Sequence, residues 1–86
     1  MAKKVGKGSI PVMDNGEILR SAMKEREMMQ VDLADKLGVF QSSISGNVNR
    51  KRMGLDVFST MLNAMDYDVA VVDRNTGEVM WKVAVK

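Results

Sequence analysis

A cluster of uncharged polar residues with one glycine lies between positions 41 and 49 of this 86-residue chain: Gln41, Ser42, Ser45, Gly46 and Asn49. These side chains offer hydrogen-bond donors and acceptors but carry no charge. A glutamine can bond to both N6 and N7 of adenine, a serine can donate or accept, and a glycine lets the backbone come close to the bases. The residue types therefore favour recognition of base edges in DNA; the alternative for Gln41, Ser42 and Ser45 is an ordinary solvated helix face.

Positive charge follows this cluster directly, in Arg50, Lys51 and Arg52. Residues 1–19 carry +1 (three cations, two acids), residues 20–52 carry +3 (seven cations, four acids) and residues 53–86 carry −2 (three cations, five acids), which gives +2 in total. Because phosphates attract cations, we expect a phosphate-binding surface in the first two thirds of the chain, with residues 50–52 on it. The alternative for 50–52 is an ordinary exposed basic loop, and the lysines within 1–12 are further candidates.

The composition argues against an enzyme and against a bound metal or other cofactor. With no Cys and no His, the chain has no thiol nucleophile, no imidazole base and none of the usual zinc ligands. Of the close pairs of acids, Asp32 suits the first turn of a helix and Asp35 a solvated face, which leaves little reason to infer acid–base chemistry. No apolar run approaches the roughly 20 residues that cross a bilayer, so the expected location is the cytoplasm.

Four helices are predicted from apolar residues at helical spacing. Asp14 and Glu17 form a capping-box pattern that starts the first helix, and Gly38 suits the left-handed residue that ends the second. Gly54 is the predicted N-cap of the fourth helix. The expected ranges are about 14–26, 30–37, 41–49 and 55–65.

The period of the apolar residues changes to two after residue 66, which predicts a β-hairpin with its turn at residues 74–77. A two-stranded hairpin is marginal in water unless its apolar face is covered. We therefore expect it to join two copies of the chain. The residues expected in this dimer contact are Val69, Val71, Val79, Trp81 and Val83.

The second and third predicted helices have the residues of a helix-turn-helix at fixed offsets: Leu33, Ala34, Leu37, Gly38 and Ile44. Small Ala34 lets the next helix cross closely, Gly38 takes the sharp turn, and Ile44 fills the shared core. The joint pattern is more specific than a glycine after a helix alone, because many helices end in glycine.

With these residues, the run 30–49 resembles the helix-turn-helix of the lambda-repressor and Xre-like family of phage and bacterial regulators, and residues 14–65 are similar to that family's small helical domain. The resemblance implies a DNA-binding repressor or activator, usually a homodimer on an inverted-repeat operator. It implies that Gln30 contacts a phosphate and braces the recognition helix. It further implies that base edges are met by Gln41 and Ser42 and, further along the same face, by Ser45, Gly46 and Asn49.

The chain departs from the family's pattern at three positions. Met29 and Phe40 stand where the family usually has a capping Ser or Thr. The family also places an apolar residue at the position of Asn47, whereas here the apolar residue is Val48. This difference favours a last turn of the third helix that is rotated or differently wound.

The predicted fold is therefore mainly α, a lambda-repressor-like helix-turn-helix bundle of about four helices with a C-terminal β-hairpin. Its expected organisation is a flexible basic arm over 1–12, a DNA-binding domain over 13–65 and a dimerising hairpin over 66–86. The alternative function is a protein-interaction module, such as an antitoxin or anti-regulator, whose hairpin binds a different polypeptide.

Overall fold

Four α-helices and one β-hairpin form the part of the chain that the computed structural model describes, residues 10–49 and 53–84. In chain order they are α1 (Asn15–Glu25), α2 (Gln30–Leu37), α3 (Gln41–Asn49), α4 (Leu55–Ala64), β1 (Ala70–Val72) and β2 (Val79–Lys82). The predicted architecture, mainly helical with a C-terminal hairpin, is confirmed at this level. Most of the predicted arm, 1–9, and the basic residues Arg50, Lys51 and Arg52 lie outside the described residues.

The ends of α1 and α2 follow the local signals in the sequence. The Asp14 carboxylate accepts from the Glu17 N–H at 2.9 Å, and the Glu17 carboxylate accepts from the Asp14 N–H at 3.1 Å, which completes the capping box. Gly38 ends α2 with a φ of 69°, a left-handed conformation that a residue with a Cβ rarely adopts. The N–H of Val39 then donates to the Ala34 carbonyl at 3.0 Å, so the turn into α3 is tied back to α2.

Met29 precedes α2 and has no side-chain oxygen with which to cap it. Instead, the carboxylate of Asp32, in the first turn, accepts from the Met29 N–H at 2.8 Å. This bond stabilises the start of the helix. Asp32 therefore acts in the first turn of a helix, as predicted.

The core lies where the four helices meet: α2 packs against α3 and α4, and α1 packs against the same two helices. The central apolar residues expose almost no surface; Leu19, Leu33, Ile44 and Met65 are at most 1% exposed. The other buried apolar residues are Ala22, Met23, Ala34, Val48, Met61 and Leu62. Three of the predicted helix-turn-helix residues, Leu33, Ala34 and Ile44, thus lie in one shared core.

The N-terminal end of α1 lies directly against the C-terminal end of α3. A Cβ added at Gly16 would collide with the carbonyl oxygen of Val48, so only glycine permits this approach. One turn further along α1, the Nη2 of Arg20 donates to the same Val48 carbonyl at 3.5 Å. The last turn of α3 is therefore located by the backbone and one side chain of α1.

Arg26, the residue that ends α1, joins the helices to the hairpin. Its Nε donates to the Met65 carbonyl at 3.0 Å and its Nη2 to the Asp66 carbonyl at 3.3 Å. Its guanidinium also lies 4.1 Å from the centroid of the Tyr67 ring, a cation–π distance. These contacts determine the direction in which the chain leaves α4.

The hairpin pairs β1 with β2 in antiparallel register, Ala70 with Lys82, Val71 with Trp81 and Val72 with Val79. The last pair shows a bulge, because β2 has one extra residue between Trp81 and Val79. In the turn, the Asp73 carboxylate accepts from the Asn75 and Thr76 N–H groups, and Gly77 adopts a φ of 77°. The predicted hairpin and its turn at 74–77 are confirmed.

The described residues extend over 40 × 24 × 22 Å, and the two strands contact each other far more than they contact the helices. Within residues 10–49 and 53–84, no helix has the length and apolar character that crossing a membrane requires.

Two glycine-to-alanine variants test the approach of α1 to α3. We expect Gly16→Ala to lower the free energy of unfolding by about 1–3 kcal/mol, because the new methyl group overpacks against the Val48 carbonyl. Gly46→Ala is the matched control: no described atom lies within 4 Å of a Cβ there, and removing a helical glycine should raise stability by about 0.5–1 kcal/mol. Urea unfolding followed by circular dichroism measures both, and equal stabilities would contradict the packing.

Candidate nucleic-acid interface

One face of α3 is polar and points away from the core. Ile44 and Val48, which are 1% and 2% exposed, anchor the opposite face. Positions i, i+3, i+4 and i+7 of a helix lie on one side, and in α3 these positions are Ser42, Ser45, Gly46 and Asn49. Three of the four are exposed and Ser45 is half-buried. Burial of Ile44 and Val48 therefore forces a continuous uncharged stripe outward, which we call the polar stripe.

Gln30 and Gln41 belong to different helices, but both line one depression beside the start of α3. Gln41 is the first residue of α3 and Gln30 the first of α2, so the turn through Gly38 brings the two helix starts together. The sequence resemblance implied that Gln30 braces the recognition helix, and the structure places Gln30 on the wall of the same depression as the first residue of that helix. That role itself stays a prediction.

Two cations of α1 complete this depression, and the sequence-based prediction missed both. Arg20 and Lys24, one turn apart on α1, line it with Gln30 and Gln41, and none of the described lining residues is acidic. Their spacing of four residues showed that they share a helix face. Nothing local in the sequence indicated that this face lies beside α3, because that depends on how α1 packs.

The opposite flank of α3 has a different chemistry. A cleft of about 280 Å³ opens between α3, the α2–α3 turn and α4. Its lining is mainly apolar, from Leu37, Val39, Ile44, Val57 and Met61, with Ser43, Asn47, Asp56 and Thr60 as its polar members. Among the described residues of this lining, the one ionisable side chain is an acid, Asp56. In the described part of the chain, cations therefore lie on one side of α3 and an acid on the other, an arrangement that attracts anions to the Arg20–Lys24 side.

The last turn of α3 was expected to be rotated or differently wound, because its apolar residue is Val48 and residue 47 is Asn. Val48 is buried and Asn47 is only half-buried, on the wall of the cleft. α3 remains helical through Asn49, which is exposed on the polar stripe. Shifting the apolar anchor to Val48 is compatible with a regular helix, because Ile44 and Val48 are separated by four residues.

The residues predicted for dimer contact do not all lie on one face of the hairpin. Val71 is paired with Trp81, and the N–H of Val83 donates to the Val69 carbonyl at 2.7 Å, which extends the same register. Val79, by contrast, is paired with Val72 because of the bulge. Val71, Val79 and Trp81 are exposed, whereas Val69 and Val83 are half-buried and Val69 packs against the core.

Several acids of the described residues make structural contacts. Asp32 holds the start of α2, and Asp68 forms an exposed ion pair with Lys82 at 3.0 Å. Within residues 10–49 and 53–84, no group of three or more acids is placed to hold a metal ion.

Comparisons with known proteins found no match: no family model, no curated protein and no solved structure matches the chain. Its function is therefore inferred from the residues of α3 and their surroundings.

Replacing the neighbours Val48 and Asn47 tests which of them anchors the last turn of α3. We expect Val48→Ala to lower the free energy of unfolding by about 2 kcal/mol, from lost burial and the cavity it leaves. Asn47→Ala should change it by no more than about 0.5 kcal/mol. Thermal and urea unfolding of the two variants measure the difference; a larger cost at Asn47 would mean that α3 is rotated relative to this structure.

Proposed function

We propose that the protein is a sequence-specific, double-stranded DNA-binding transcriptional regulator with a lambda-repressor-like helix-turn-helix fold. The observation that carries this proposal is the orientation of α3. Its apolar residues face the core, its polar stripe faces solvent, and Arg20 and Lys24 of α1 line the same depression as its first residue. We assign no enzymatic activity, metal or cofactor to the protein.

The dimensions of α3 suit the major groove of DNA. Its nine residues make a helix about 13 Å long. The groove is about 12 Å wide and admits one α-helix. Because the polar stripe carries no charge, its side chains can discriminate bases by hydrogen-bond pattern without binding every sequence equally. Ser42, Ser45 and Asn49 would address base edges, with Gly46 allowing the backbone to approach and Gln41 at the leading end.

Affinity requires phosphate contacts, which the uncharged stripe does not supply. Arg20 and Lys24 lie on the flank where one phosphate strand would pass, and Gln30 offers an amide to the same strand. Arg50, Lys51 and Arg52, which follow the last residue of α3 in sequence, would serve the backbone at the other end of the helix.

The hairpin fits a dimer contact in the same proposal. Val71 and Trp81, which are paired in the sheet, expose 49% and 66% of their surface, and Val79, paired with Val72, exposes 58%. Two copies joined there would carry two α3 helices, and an inverted-repeat operator would match their two-fold symmetry with half-sites about 34 Å apart.

The exposed hairpin also supports a second candidate, a protein-interaction module of the antitoxin or anti-regulator kind. In that case the apolar strands would bind a different polypeptide, and α3 would contribute little to specificity. The two functions differ in what the polar stripe does.

Substitutions at α3 and α1 should have different effects on DNA binding. We expect the double variant Gln41→Ala with Ser42→Ala to lose about 5- to 150-fold in preference for the selected operator while retaining non-specific binding. Lys24→Gln should weaken binding to all sequences alike and reduce the slope of log affinity against log salt by about 1. Selection of sites from a random DNA pool, followed by titration at several salt concentrations, measures both effects.

The matched control is Lys36→Gln, which removes an exposed cation of α2 outside the depression and should leave affinity and salt slope unchanged. Unchanged selectivity in the α3 double variant would favour the interaction module instead.

Sedimentation tests the role of the hairpin. We expect the protein to be a dimer at high micromolar concentration and Trp81→Lys to be a monomer, because a charge would be buried in the contact. Asn75→Lys adds the same charge in the exposed turn and should remain dimeric. If the unmodified protein sediments as a monomer at these concentrations, the hairpin does not join two copies.

A further inference from the structure

Phe40 is an unexpected side chain at the start of α3, the helix that carries the polar stripe. It lies immediately before α3, and 81% of its surface is exposed. An exposed phenyl ring gains nothing from the hydrophobic effect in the isolated protein. The ring is not among the apolar side chains that pack against the core.

The backbone of Phe40 caps the start of α3, but its side chain has no hydrogen-bond acceptor and cannot contribute to the cap. The Ser43 N–H donates to the Phe40 carbonyl at 3.0 Å, which closes the first turn. A Ser, Thr, Asp or Asn at this position would add a side-chain acceptor for the free N–H groups of that turn. Phe40 therefore lacks this stabilising contact and exposes an apolar ring at the start of α3.

We propose that Phe40 contacts the C5-methyl group of a pyrimidine in the major groove. This inference rests on the proposed DNA-binding function and adds a specificity-determining residue to it. The C5-methyl is the apolar group that base edges present in the major groove, and apolar side chains, Phe included, pack against it. The start of a recognition helix is the part that meets base edges, and Phe40 directly precedes it. Thymine and 5-methylcytosine both carry this group.

Removing or adding one methyl group on the DNA bases tests the contact. In a duplex selected from a random pool, each thymine is replaced in turn by uracil, which removes only the methyl group. We expect about a fourfold loss of affinity at one or two positions per half-site, the value of one buried methyl group. A second series compares cytosine with 5-methylcytosine at those positions; a gain with 5-methylcytosine would show that the methyl alone is recognised, and no gain would restrict the contact to thymine.

Protein variants assign the effect to Phe40. Phe40→Ser removes the ring but restores a capping hydroxyl, so we expect equal binding to thymine and uracil duplexes together with an unchanged or higher Tm. Leu55→Ala is the control, because Leu55 is another exposed apolar residue, at the first position of α4, and its loss should leave the thymine preference intact.

Two failures are distinguishable. Sequence-selective binding that is unaffected by uracil, or a thymine preference that persists in Phe40→Ser, would overturn this inference alone. Absence of any sequence-selective DNA binding would overturn the proposed function and this inference together.

Discussion

The structure depends on holding a short, uncharged helix at both of its ends. α3 has nine residues, and isolated helices shorter than about 12–15 residues are marginal in water. Its leading end is located by the left-handed turn at Gly38, and its trailing end by α1, whose Gly16 lets the Val48 carbonyl approach and whose Arg20 bonds to it. Burial of Ile44 and Val48 between these ends supplies the stabilisation that the helix lacks on its own.

Because α3 is anchored in this way, its outward face and its two flanks differ in charge and polarity. The outward face keeps hydrogen-bonding groups without charge, one flank carries Arg20 and Lys24, and the other flank is an apolar cleft with Asp56. A surface that had to bind phosphates and distinguish bases with the same residues would bind every sequence through its charges. In the proposed function, cations on a neighbouring helix would leave the polar stripe free to discriminate bases.

The base of the hairpin is attached to this bundle through Arg26 and through Val69, which packs against the core. Arg26 bonds to two carbonyls at the end of α4 and lies over Tyr67, while the strands beyond are in contact mainly with each other. A small domain has little apolar surface to spare for covering such an extension. The exposed Val71, Val79 and Trp81 are the consequence, and the proposed dimer contact rests on them.

The sequence by itself determined the local features: the helix bounds, the capping box at Asp14, the turn at Gly38 and the hairpin turn, because each depends on residues within a few positions of one another. It also indicated the polar stripe, through helical spacing. Only the tertiary structure decided the rest of the site. The bond from Arg20 to Val48 spans 28 residues and that from Arg26 to Met65 spans 39, and the bulge that moves Val79 to the partner position of Val72 depends on pairing between strands. Such contacts depend on how the helices and strands pack, which no local pattern of residue types encodes.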